Sequence, residues 1–316
     1  MTPIDDTIDD AYRDCPRERV LVSGASGFVG RALCALLAGA GHEALPLTRR
    51  PVGPNDVPWN PSSGEISPLD GLGIASVVHL AGESIASGRW TAARKALIRD
   101  SRVVGTRLLC ERLAALASPP RVLVCASAIG LYGDRGEEDL DEDSAPGSGF
   151  LAGVCREWEA AAEPAREAGI RVVNLRFGVV LSPNGGALAA MLPPFRLGVG
   201  GPIGSGRQWM SWISLDDAIS LALYCIFEES VSGPVNAVSP SPIRQRDFAH
   251  ALGAALRRPS ICPAPAFALR LLFGEMADET LLASQRVLPR AAQAAGYAFL
   301  HPDPAPYLRA ALGRPD

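Results

Sequence analysis

Between an apolar run, RVLVSG (residues 19–24), and an amphipathic one that begins at Val29, the chain reads SGASGFVG, with Gly24, Gly27 and Gly30 at intervals of three. Few local patterns constrain a fold more. A first glycine permits a tight turn after a strand, a second lets backbone N–H groups approach a bound anion, and a third lets the following helix cross close to the turn. Apolar residues at Val29, Leu33, Leu36, Leu37 and Ala40 keep a helical period that Gly39 and Gly41 stop. Strand, glycine turn and helix in this order predict a dinucleotide-binding βα unit, with pyrophosphate at the helix N-terminus.

The alternation continues. EALPLT (43–48), SVVHLAG (76–82), RVLVCAS (121–127) and RVVNLRF (171–177) read as strands, and residues 91–117 and the segment headed by GSGFLAGVCREWE (147–159) read as helices. RVLVSG is apolar on both parities, which suits a parallel strand covered on both faces. The expected fold is α/β, a Rossmann-type doubly wound parallel sheet with a smaller, mostly helical C-terminal region on the substrate side. The expected divisions are an acidic arm at 1–17, a nucleotide-binding domain at 18–181, an interwoven region at 182–261 with helices near 186–197, 214–228 and 243–256, and a helical C-terminal domain at 262–316.

Composition narrows the function. The formal net charge is −4 and no Lys/Arg run exceeds two residues, so no electrostatic footprint for nucleic acid or an anionic membrane is expected. A small-molecule partner is expected instead, and no feature indicates an oligomer. The acidic start MTPIDDTIDDAYRD and the lack of an 18-residue apolar stretch give a cytoplasmic expectation. Seven scattered cysteines without C-x-x-C spacing read as reduced thiols, and four distant histidines (42, 79, 250, 301) suggest no metal site.

Cofactor choice is legible at the end of the second strand. An NAD-binding chain usually places a carboxylate there for the ribose 2′-hydroxyl. Here the residues are Thr48, Arg49 and Arg50, which suit a 2′-phosphate, so NADP(H) is the expected cofactor; a solvated basic loop is the alternative. Ala81 and Gly82 of HLAGES are small enough for a flat ring or ribose to pass the backbone, unless they are a plain strand end. Ser127 of ASAIGLYG is a candidate hydroxyl partner, or simply a turn residue. GGPIGSGRQWMSWIS (200–214) carries Arg207, Gln208, Trp209 and Trp212, which line a ligand pocket or else put their tryptophans in the core. Trp90 and Lys95 belong to a polar cluster with Arg99 and Arg102.

In order, VSGASGFVG, SVVHLAGES, RKALIRDSRVVGTRLL, ASAIGLYG, GFLAGVCREWE, LRFGVVLSPNGGAL, PPFRLGVGGPIGSGRQWMSWISLDD and GEMADETLLASQRVLP closely resemble epimerase-family proteins of the YfcH type. These are atypical extended members of the short-chain dehydrogenase/reductase superfamily with a C-terminal domain of unknown function. The resemblance implies that the superfamily's catalytic tyrosine and lysine fall on Phe150 and Val154, its serine on Ala128 beside Ser127, and a helix asparagine on Arg102. Phenylalanine and valine cannot transfer a proton. The expected cofactor positions are Gly24, Ser26, Gly27, Phe28, Val29, Gly30, Thr48, Arg49, Arg50, Leu80, Ala81, Gly82, Arg102 and Val180. The expected substrate positions are Trp90, Ser127, Arg207, Gln208, Trp209 and Trp212. No catalytic residue is assigned; Ser127, Tyr132, Glu83 and Lys95 are the candidates. An NADP(H)-dependent oxidoreductase on a small molecule, a non-catalytic NADP(H) sensor and, last, a nucleotide-sugar epimerase are the functions left open.

Overall fold

The computed structural model describes residues 15–313; most of the acidic arm lies outside the described residues. Strands β1 (Arg19–Ser23), β2 (Glu43–Thr48), β3 (Val57–Asn60), β4 (Glu65–Ile66), β5 (Ile74–His79), β6 (Val122–Ala128), β7 (Arg171–Phe177) and β8 (Gly233–Ala237) form one sheet in the order β8-β7-β6-β5-β1-β2-β3-β4. All neighbours are parallel except β4, which runs against β3. The chain winds outward through β2 and β3, then returns to the other side of β1 at β5. Between β1 and β5, at their C-terminal ends, lies the switch point where doubly wound folds place ligands.

Period-two alternation explains the two-faced core. Val20, Val22, Val78, Val124 and Val173 face helices α1 (Phe28–Gly39) and α6 (Leu215–Phe227), where Leu33, Leu36, Leu37, Ile219 and Leu223 are wholly buried. Leu21, Val77, Leu123 and Val172 face the other way, against α2 (Ala92–Ala114) and Trp158 of α3 (Phe150–Ala160). Each such leucine contributes roughly 1.5–3 kcal/mol by leaving water. A short α4 (Glu163–Glu167) leads into β7.

The later chain has its own smaller core, with Leu188 and Leu192 of α5 (Gly186–Arg196), Trp212, Phe248 and Leu252 of α7 (Gln245–Leu256), and Tyr307 and Leu308. It remains tied to the main sheet, because β8 and α6 come from beyond residue 181. The SQRVLP segment is stitched in by buried polar side chains. Gln285 Nε2 donates to the carbonyls of Ile129 and Gly133, Ser284 Oγ donates to that of Gly136, and Ser211 Oγ donates to that of Gln285. The seven cysteines are unpaired, with Cys110, Cys125, Cys155 and Cys225 buried. Among the described residues no helix is long and apolar enough to cross a membrane, and no cluster of three or more His, Cys, Asp or Glu is placed to hold a metal ion.

Candidate functional site

At the switch point a cleft of about 660 Å³ opens between the glycine turn, the end of β2 and the end of β5. Its shape follows from missing side chains. Gly24 has φ +70°, and a Cβ there would lie 2.9 Å from Ala81 N. A Cβ on Gly30 would lie 2.2 Å from the Gly24 carbonyl oxygen, so only glycine lets α1 start this close to the turn. Gly27 is the N-cap of α1, no side chain caps it, and no acidic residue stands in the first turn. The first amides of a twelve-residue helix are therefore left for an anion.

Of the positions expected to hold a cofactor, Gly24, Ser26, Gly27, Thr48, Arg49, Arg50, Leu80, Ala81 and Gly82 line this cleft. Thr48 Oγ1 accepts from Arg50 N at 3.2 Å, fixing the turn that carries the two arginines. Neither guanidinium has a carboxylate partner among the described residues, and the only acidic residue in the lining, Glu83, is bound to Arg94. Val29 packs into the core, while the Phe28 ring lies against Gly185 and Gly186, beside the Val180 carbonyl. Arg102 sits beneath Gly82, donates to the carbonyls of Glu83 and Ile98, and covers the Trp158 ring at 5.1 Å. Trp59, in a strand the sequence pattern does not reveal, and Pro61, just beyond its end, complete the wall.

A buried polar chain supports the cleft floor. Ser23 Oγ accepts from Leu80 N at 3.1 Å and Ala81 N at 3.2 Å, and lies 2.6 Å from His79 Nδ1. With two donors already on its oxygen, Ser23 points its own hydrogen at Nδ1, so the His79 proton is on Nε2. That nitrogen donates to Thr106 Oγ1 at 3.0 Å, which also accepts from Trp158 Nε1. Burial holds the imidazole neutral, pulling its pKa down to about 4.

The four catalytic candidates all have partners. Ser127 Oγ donates to Glu159 at 2.7 Å, and Glu159 is held bidentately by Arg176. Tyr132 is wholly buried: its hydroxyl donates to Asn236 and accepts from Arg176, and burial pushes its pKa up to about 12. Candidacy for Tyr132 is thereby corrected, since a sealed phenol reaches no ligand. Glu83 pairs with Arg94 at 3.0 Å, and Lys95 with Glu275 at 2.5 Å. Lys95 Nζ also lies 5.0 Å from the centre of the Phe150 ring, against which Trp90 stands edge-on. Glu279 accepts from Phe150 N and Leu151 N at 2.8 and 2.7 Å, capping α3. Sequence reasoning missed both Glu275 and Glu279; the acidic run GEMADETLL was the only signal, and it names no partner.

The stretch 200–214 divides. Trp212 is wholly buried, stacked on Tyr307 at 5.6 Å, so it is a core residue and not a ligand contact. Gln208 is also buried, donating to the carbonyls of Ile203 and Leu281. Trp209 is flanked by Arg244 and Arg286 and donates to Glu137. Arg207 remains exposed on a second cavity of about 320 Å³, with Glu137, Arg244 and Arg246. The Trp90 indole donates to the Ile85 carbonyl.

Residues 20–237 match the model of the NAD dependent epimerase/dehydratase family, and residues 264–313 match a domain of unknown function, DUF1731. The chain belongs to the NAD dependent epimerase/dehydratase family. It is 44% identical over 283 residues to the epimerase family protein Mb2239 of Mycobacterium bovis, covering 89% of this chain and 93% of that one. It is 40% identical over 298 residues to mouse epimerase family protein SDR39U1, covering 93% and 98%. Among solved structures, human SDR39U1 with NADPH superposes with a TM-score of 0.86 at 36% identity, over 93% of this chain and 99% of that one. A nucleoside-diphosphate sugar epimerase from Corynebacterium glutamicum gives 0.79 at 36% identity, over 97% of this chain and 60% of that one. In this member of the family the nucleotide cleft is open, while the groups around α3 are paired among themselves.

Proposed function

We propose that this family member binds NADP(H) in the cleft and works as an oxidoreductase on a small molecule without the superfamily's tyrosine–lysine pair. The carrying observation is the end of β2, where Thr48, Arg49 and Arg50 present no carboxylate and two guanidinium groups that have no ion pair among the described residues. A 2′-phosphate suits that charge; a ribose without one leaves it unused. The glycine turn fits a pyrophosphate, because a Cβ at Gly24 or Gly30 would occupy the approach that backbone amides now offer. The human relative solved with NADPH supports the same choice.

The bound nicotinamide would supply hydride chemistry. This chain's share is narrower: to orient the cofactor with the Leu80–Gly82 backbone and the Arg49 side chain, and to exclude a competing counter-ion by holding Glu83 on Arg94. With Phe150 and Val154 at the head of α3 and the four candidates paired, the proton that balances the reaction is taken from water. The same pairing favours a second reading, a protein that binds NADP(H) without turnover. A nucleotide-sugar epimerase is the least favoured, since it needs the absent phenol.

Incubating the protein with NADP⁺ and a panel of UDP-sugars and secondary alcohols, with reduced cofactor and epimerised sugar measured separately, tests the missing acid/base. Loss of general acid/base assistance is worth roughly 10²- to 10⁴-fold, so slow or no turnover is expected. Turnover near 1 per second or faster would return the conventional enzyme to first place.

A further inference from the structure

Nine large apolar side chains are prominently exposed among the described residues, and six lie in one region: Leu197, Val199, Ile261, Phe267, Leu271 and Leu272. Two stretches of chain bring them together. Cys262 N donates to the Gly200 carbonyl, Ala264 N donates to that of Pro202, and Gly204 N donates to that of Ala264, so residues 199–204 run beside 261–264. The second stretch leads directly into α8 (Ala266–Phe273). Leu269 is the only buried residue of α8 and lies two positions from both Phe267 and Leu271, which puts those two on the opposite, outward face.

The charge of this face is also unlike the rest. Residues 168–215 and 248–274 contain no Asp or Glu, although the whole chain carries a net charge of −4. Arg196, Arg257 and Arg258 border the apolar residues, are exposed, and have no ion pair among the described residues. Arg270, on α8 itself, is paired with Asp278. Arg257 is the only non-glycine described residue in the left-handed region, at φ 52°, where it ends α7; glycine or asparagine is the usual choice there.

We propose that this face docks on an anionic lipid surface, with Phe267, Leu271 and their neighbours entering the headgroup boundary and the three unpaired arginines meeting lipid phosphates. The side chains are 57–78% exposed, so they protrude and form no groove for a partner helix. A second copy of the chain would bring like charges together. Apolar protrusions rimmed by uncompensated arginine are complementary to a layer that is anionic at its surface and apolar below. Net charge hides the feature, because Asp and Glu, missing from the two stretches that build it, are counted from the rest of the chain.

The test is co-flotation of the full chain with vesicles of phosphatidylcholine and phosphatidylglycerol at 7:3, against phosphatidylcholine alone, at low and at 0.5 M salt. Expected is binding to the mixed vesicles that weakens with salt and is weak on phosphatidylcholine. Arg257→Gly with Arg258→Gln should lower the affinity about fivefold per arginine, and glycine suits the left-handed cap, so the fold is kept. Phe267→Asp with Leu271→Asp should abolish flotation while circular dichroism and NADPH binding stay unchanged. Equal flotation of that variant overturns the proposal. So does a wild type that ignores the vesicles, and if it then sediments as a dimer that Phe267→Asp splits, the face belongs to a second copy.

Discussion

At the ends of β1, β2 and β5 the chain leaves space open and polar groups without partners, whereas at the head of α3 it closes the space and pairs the groups. The cleft is walled by glycines, backbone amides and two guanidinium groups that lack counter-ions among the described residues. Around α3, Lys95 is held by Glu275, the first amides by Glu279, and the place expected for a phenol by the Phe150 ring. Arg49 and Arg50 are exposed and hydrated, free to exchange water for an anion, whereas the donors of Lys95, Phe150 and Leu151 are already completed from within the fold. Two regions of one family site can therefore differ in kind, one kept for its ligand and the other given over to packing.

The contrast breaks most sharply at Gly30. Gly30→Ala puts a methyl group 2.2 Å from the Gly24 carbonyl oxygen. The helix must shift, costing about 3 kcal/mol, the upper end of overpacking. NADPH binding should be abolished with it, as read by urea unfolding and by fluorescence titration. A variant that unfolds and binds like the wild type would show that the turn tolerates a side chain.

The floor beneath the cleft should answer to acid. His79 has a pKa of about 4 when folded, against about 6.5 in an unfolded chain. Stability is complete above pH 6.5, where both states hold the neutral ring, and falls as pH drops towards 4, because only the unfolded state takes up the proton. The loss amounts to about 3 kcal/mol. Urea unfolding at several pH values, compared with His79→Leu, isolates it from the carboxylates; the variant starts less stable but should lack this part of the slope. Parallel slopes would mean that the ring is not shielded.

The smallest effect belongs to the α3 head. Phe150→Ala removes contacts with Trp90 and Lys95 and no proton donor, so NADPH affinity should stay within about twofold, less than 0.5 kcal/mol, while thermal stability falls. A tenfold change in cofactor affinity would join the two regions that the geometry separates.

What the sequence reveals follows the range of the interactions. The strand–turn–helix start and the parallel sheet are local patterns, and Gly24, Gly27, Thr48 and Arg49 could be placed from spacing alone. β3 was hidden because Trp59 stands between Pro58 and Pro61 in a four-residue strand with no room to show a period. The direction of Ser127 was hidden because β6 is covered on both faces, so neither parity is marked by polarity. Lys95–Glu275 and Phe150–Glu279 join residues more than 120 positions apart, a distance over which one sequence carries no pairing information.

The most direct measurement is an equilibrium titration of the unmodified protein with NADPH and with NADH, repeated on Arg49→Ala. Tighter binding of NADPH is expected. Arg49→Ala should remove about 1.5–3 kcal/mol of that preference, the worth of a hydrogen bond to a charged group, while leaving NADH affinity nearly unchanged. Equal affinity of the unmodified protein for the two cofactors, or no binding of either, would contradict the assignment of the cleft.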